Sequence, residues 1–113
     1  MKDDRVYLQH ILRCISRIEG YTGGGREAFF SSSLVQDAVI RNLQTLAEST
    51  QRLSEARKSL RPEIDWKALS GFRNVLVHDY MGVDLEYVYR AISRDMPRLK
   101  VACTEILETL REM

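Results

Sequence analysis

Long apolar runs are missing from this chain. No more than three apolar residues follow one another anywhere, whereas a membrane-spanning helix needs ~20. Met1-Lys2-Asp3-Asp4-Arg5 leads into no apolar stretch of the kind a secretory signal requires. The expectation is a cytoplasmic protein without membrane attachment. Cysteine is scarce as well. Cys14 and Cys103 stand far apart and form no C-x-x-C pair, which argues against a disulfide framework or a thiolate metal site and for reduced thiols. Proline occurs only at Pro62 and Pro97, residues 26 to 70 contain no glycine, and no Asn-Gly or Asp-Gly dipeptide separates alternating apolar runs. Hairpins, and with them a sheet, are not expected. Excess charge of one sign is also lacking: 17 Lys plus Arg against 16 Asp plus Glu leave +1. No global field draws the chain to nucleic acid or anionic lipid, so any RNA contact needs a local patch.

What is present reads as one globular domain spanning residues 1–113, 44% apolar and 29% charged. Helical spacing runs through it. A first helix starts after Asp3 or Asp4 and puts Leu8, Ile11, Leu12, Ile15 and Ile18 on one face, with Gly20 and Gly23 to Gly25 ending it. A second starts near Ser33, where Ser33 and Gln36 have capping-box spacing, and carries Val35, Val39, Leu43, Leu46 and Leu53 to about Leu60, a length of ~40 Å. Asp65 caps a third, containing Trp66, Leu69, Phe72, Val75 and Leu76 and ending near His78. Asp84 caps a fourth, with Val88, Ile92, Leu99, Cys103, Ile106 and Leu110 in register and a kink or break expected at Pro97. Four amphipathic helices predict an all-α, up-and-down bundle. Their apolar stripes are core, Trp66 is a core or dimer-interface anchor, and His10 is structural.

Positive charge gathers twice, at Arg52, Arg57, Lys58 and Arg61 and again at Arg90, Arg94, Arg98 and Lys100. Either cluster reads most simply as a solvated face complementing a helix dipole.

One segment differs from ordinary bundle packing: Gly71-Phe72-Arg73-Asn74-Val75-Leu76-Val77-His78-Asp79-Tyr80. It concentrates a fixed cation, an amide, an imidazole, a carboxylate and a phenol near the end of a helix. Asn74 and His78, four apart, share a helix face. Arg73 and His78, five apart, lie about 140° around a regular helix, so they converge only if the helix distorts or a second chain contributes. With 13 Arg and two His in the chain, chance supplies roughly 0.2 Arg-x-x-x-x-His pairs, and Arg5 with His10 is a second one. A tyrosine two residues after the histidine lowers that to roughly 0.01, and Arg73, His78 and Tyr80 alone satisfy it. Two distant histidines, with no Cys or carboxylate cluster on one face, suggest no metal ligand set, and no cofactor is expected.

Over nearly its whole length the chain resembles the HEPN superfamily of small helical proteins and, within it, the HepT-like toxins. The signature R-x-x-x-x-H-x-Y, with a polar residue after the arginine, is matched by Arg73, Asn74, His78 and Tyr80, and Leu46-Ala47-Glu48 and Val83-Asp84 are also similar. The resemblance implies a four- to five-helix bundle that pairs as a two-fold homodimer, with the motif of each protomer lining a shared cleft. It implies a toxin of a toxin–antitoxin pair, a metal-independent ribonuclease using Arg73, Asn74 and His78 on an RNA substrate. It further implies a partner, a minimal nucleotidyltransferase acting as antitoxin, that transfers AMP to Tyr80; Asp79 and Glu48 are candidates for supporting roles. The chemistry agrees. Metal-free RNA cleavage needs a base, an acid and positive charge on the phosphate, which two copies of His78 and Arg73 in one cleft would supply. A rival reading is a non-catalytic nucleotide-binding or adaptor module that serves only as partner or substrate of the transferase, which the near-neutral charge allows.

Overall fold

Asp3 precedes the first helical run in extended conformation, and its carboxylate accepts from the Arg5 N–H at 2.9 Å, starting helix α1, Asp4–Tyr21. The protein is seen as a computed structural model that describes residues 3–78 and 84–111, with the backbone alone for 73–78. Leu8, Ile11, Cys14, Ile15 and Ile18 of α1 are buried, the stripe that the three-and-four spacing requires. Thr22 closes the helix, its hydroxyl and its N–H both donating to the Ile18 carbonyl.

The glycine run does not simply end a helix. Gly25, at φ 81°, turns the chain into a short helix α2, Gly25–Phe30, which the spacing did not announce. Tertiary packing justifies it: Phe29 is buried, its ring edge-on to Phe30 at 5.1 Å and 5.5 Å from Tyr89. Helix α3, Ser33–Arg52, is capped by Ser32, whose Oγ accepts from the Val35 N–H. The expected Ser33 and Gln36 box is therefore displaced. Gln36 instead donates to the Phe29 and Phe30 carbonyls at 3.0 and 3.2 Å, satisfying the end of α2.

Helix α3 also stops early. Rather than continuing to Leu60 it ends at Arg52, ~30 Å long, because Leu53 is extended and buried and Ser54 is held by Asp4, 50 residues earlier in the chain. The Ser54 N–H and hydroxyl donate to the two Asp4 carboxylate oxygens at 3.0 and 2.6 Å. Ser54 then caps α4, Glu55–Lys58, through the Arg57 N–H. Trp66 pins the following turn, its indole N–H shared between the Lys58 and Arg61 carbonyls.

Asp65 caps α5, Trp66–His78, by accepting from the Ala68 N–H at 3.0 Å, as its position predicts. The helix returns along α3, with Thr50 Oγ1 3.3 Å from Ser70 Oγ and Gln51 donating to the Ser70 carbonyl. Asp84 caps α6, Leu85–Arg90. The kink or break expected at Pro97 takes the form of an irregular turn just before it. A π-helical turn, Ala91–Asp95, leads directly into α7, Met96–Arg111. Proline at position 97 has no N–H and crowds the Ser93 carbonyl, and the irregularity falls in the wider turn just before it.

The long segments α1, α3, α5 and α6–α7 make the predicted all-α bundle, with α1 against α3 and α7, and α2 between α3 and α6. One core joins them, including Leu8, Ile11, Phe29, Leu43, Leu46, Val88, Leu99 and Cys103. Among the described residues no helix is long and apolar enough to cross a membrane.

Candidate active site

Helix α5 carries Arg73, Asn74 and His78 in unbroken α-helical backbone. That register sets Arg73 and His78 about 140° apart and ~7.5 Å along the axis, while Asn74 and His78 share a face. The side chains of these three residues, and Asp79 and Tyr80 altogether, lie outside the described residues. Phe72, immediately before the motif, is anchored: it is buried, with its ring 5.4 Å from that of Tyr87 on α6. The α5 backbone is thus fixed by its Asp65 cap, by Ser70 against α3 and by Phe72 against α6.

Glu48 sits on α3, half exposed, and holds Arg52 at 3.2 Å one helical turn away. It borders a groove between α1 and α3 whose wall includes Tyr7, His10, Arg13 and Ser49. His10 bridges the two helices, with Nδ1 2.6 Å from Ser49 Oγ and Nε2 3.7 Å from Cys14 Sγ. Burial, then the Arg13 and Arg17 charges, hold the imidazole below its ordinary pKa, against the weaker opposing pull of Glu48. This network was not apparent from spacing, because it joins residues 39 apart in sequence. The signal available was the i, i+4 placement of His10 and Cys14, one polar and one apolar group on the same face of α1.

Both cysteines are free and buried, and burial pushes the Cys103 thiol up to about 12. Among the described residues no three His, Cys, Asp or Glu side chains gather as a metal ligand set. The two basic clusters part company. In the first, Arg52 pairs with Glu48, Arg57 with Asp4, Lys58 with Glu55, and Arg61 with Glu63 and Glu105. In the second, Lys100 pairs with Glu19, while Arg90, Arg94 and Arg98 line a groove between α5 and the α6–α7 segment.

Residues 11–106, from α1 into α7, match the family described as Ribonuclease HepT-like. The chain belongs to that family. A Methanocaldococcus jannaschii protein whose name combines gamma-glutamylcyclotransferase with a provisional RNase is 37% identical over 110 residues, covering 96% of this chain but 50% of its own. This chain thus spans half the length of that relative. A Caldanaerobacter subterraneus subsp. tengcongensis protein provisionally named an RNase is 31% identical, with 96% of this chain and 97% of its own covered. One from Thermococcus cleftensis, named "Probable ribonuclease HepT", is 36% identical, with 88% and 91% covered. No solved structure matches the chain. In this bundle α5 packs along α3 and meets α6 through the Phe72 and Tyr87 rings.

Proposed function

We propose that the protein is an endoribonuclease that works without a metal as a two-fold homodimer, and that it is the toxin of a toxin–antitoxin pair. Membership of the HepT-like family carries this reading, together with the register of α5. A regular helix holds Arg73 and His78 about 140° apart, so one copy is poorly arranged to grip and cleave a phosphodiester alone. Two copies of α5 facing across a two-fold axis provide two histidines and two arginines.

In the proposed reaction one His78 takes the proton of the ribose 2′-OH, and the oxygen attacks the adjacent phosphorus. The bond to the 5′-oxygen breaks, and the second His78 gives that oxygen a proton, leaving a 2′,3′-cyclic phosphate. An unperturbed imidazole, pKa ~6.5, is available in both protonation states near neutrality. The Arg73 guanidiniums bind the non-bridging oxygens as charge develops, and Asn74 orients the imidazole or the substrate. Asp79 and Glu48 are assigned supporting positions without a chemical step.

Tyr80 is the proposed acceptor of AMP. Its phenol oxygen attacks the α-phosphorus of ATP bound to a minimal nucleotidyltransferase, pyrophosphate leaves, and the phenol proton passes to that enzyme. The product places a phosphate beside Arg73 and blocks RNA.

The test is cleavage of total cellular RNA by purified, unmodified protein in EDTA, with intact mass verifying the absence of AMP. Cleavage is expected, with losses of ~10²–10⁴-fold in His78→Ala and comparable losses in Arg73→Ala, while both variants remain folded dimers. A folded, unmodified dimer that cleaves nothing would favour the adaptor reading.

A further inference from the structure

The second basic cluster meets an aromatic platform. Arg90, Arg94 and Arg98 are exposed along one side of the α6–α7 segment, and they line, with Tyr87 and Phe72, a groove of about 270 Å³ between that segment and α5. Three carboxylates also border it. Asp65 is committed to capping α5 and Glu63 to its pair with Arg61; only Asp95 has no partner among the described residues. None of the three arginines forms an ion pair within that same set. Tyr87 is 42% exposed, and its ring lies 5.4 Å from the buried Phe72 ring, inclined at 39°.

This arrangement is a row, not a cup. Arginines four residues apart on successive turns spread along the segment over a distance on the order of 10 Å, an arrangement suited to a chain of phosphates. The exposed tyrosine, backed by Phe72, presents a face on which a base can stack. Phe72 is also the residue preceding Arg73, so the groove runs beside the helix that carries the motif.

Resting on the ribonuclease reading above, we infer that this groove is the approach path of a single RNA strand, with Arg90, Arg94 and Arg98 binding successive phosphates and Tyr87 stacking one base. The chain's near-zero net charge then fits a nucleic-acid enzyme: attraction is confined to one face while the first basic cluster is neutralised internally.

The experiment uses full-length, unmodified protein carrying His78→Ala, so that RNA stays intact, and a fluorescein-labelled single-stranded oligoribonucleotide of about 12 nucleotides. The triple variant Arg90→Gln, Arg94→Gln, Arg98→Gln is expected to bind at least tenfold more weakly at 0.1 M salt. Its log K against log [salt] slope should be shallower by about 2, three phosphates each contributing about 0.7. Removing the same charge elsewhere, with Arg13→Gln, Arg17→Gln and Arg41→Gln, should cost less than threefold, and lysine at positions 90, 94 and 98 should restore most of the binding. Tyr87→Ala should weaken binding about tenfold and Tyr87→Phe little. In proteins retaining His78 the glutamine triple should raise KM with kcat within about threefold of the parent. Equal loss in the two glutamine triples, or none in the groove triple, overturns the path. If the parent with His78 intact fails to cleave RNA, the ribonuclease reading falls instead, so the two failures are separable.

Discussion

His10 Nδ1 lies 2.6 Å from Ser49 Oγ, a contact that ties α1 to α3 across 39 residues of sequence. Cys14 borders the other ring nitrogen, Thr45 stands 3.4 Å from Cys14, and Arg13, Arg17 and Glu48 supply the surrounding charge. Burial and the two arginines lower the folded-state pKa of His10 below its ordinary 6.5. Below that value the unfolded chain binds the proton more readily than the folded one, so stability falls as pH drops through 6.5 toward the lower folded pKa. Thermal unfolding between pH 7.5 and 5.5 should show the loss, and His10→Asn should reduce the difference between the two pH values. An undiminished pH dependence in that variant would place its origin elsewhere. Ser49→Ala should cost about 1 kcal/mol at pH 7.5 by removing the partner.

Asp4 joins the two ends of the α1–α4 unit through Ser54, and the Ser54 hydroxyl also caps α4. Ser54→Ala removes both bonds and is expected to lower unfolding free energy by about 1 kcal/mol in urea titration. Hydrogen exchange should report the loss locally, with faster exchange at residues 54–59 and little change in α7.

The thiols should be silent in the folded protein. Cys14 is 1% and Cys103 0% exposed, and burial pushes Cys103 up to about 12. Iodoacetamide at pH 8 is expected to leave the intact mass unchanged over an hour and to add two carbamidomethyl groups once denaturant is present. Native labelling at Cys103 would show that the core opens around α7.

Tyr80→Phe separates the two proposed roles of the motif. RNA cleavage should remain within about threefold of the parent, because the phenol is not the proposed acid or base. Incubation with the partner transferase and ATP should no longer silence the enzyme. Loss of cleavage in the folded variant would make Tyr80 part of the nuclease.

Truncating Leu43, fully buried on α3, gives a measure of the core: Leu43→Ala should cost ~2–5 kcal/mol in the same urea titration.

The helical caps show how far local sequence reaches. Asp3, Asp65 and Asp84 cap helices because a short carboxylate can reach the orphan N–H groups of the first turn, a chemistry contained within four residues. The apolar stripes of Leu8, Ile11, Ile15 and Ile18, and of Leu99, Cys103 and Ile106, likewise follow from one periodicity. Ser32, displacing Ser33 by one position, illustrates the limit. The choice between adjacent serines depended on Gln36 turning toward the α2 carbonyls, and α2 itself depended on Phe29 meeting Tyr89.

By itself, then, the sequence determined the helical class, the main caps, the buried faces and the position of the Arg73, Asn74, His78 and Tyr80 motif, because helix periodicity, capping and residue chemistry act over a few neighbouring residues. Tertiary structure alone decided where α3 stops, which histidine joins α1 to α3, and which of two similar basic clusters is neutralised. Each of those outcomes turns on partners far away in sequence: Asp4 for Ser54, Ser49 for His10, and Glu105 for Arg61. Local patterning identifies the groups that need a partner, and only the packed chain assigns one.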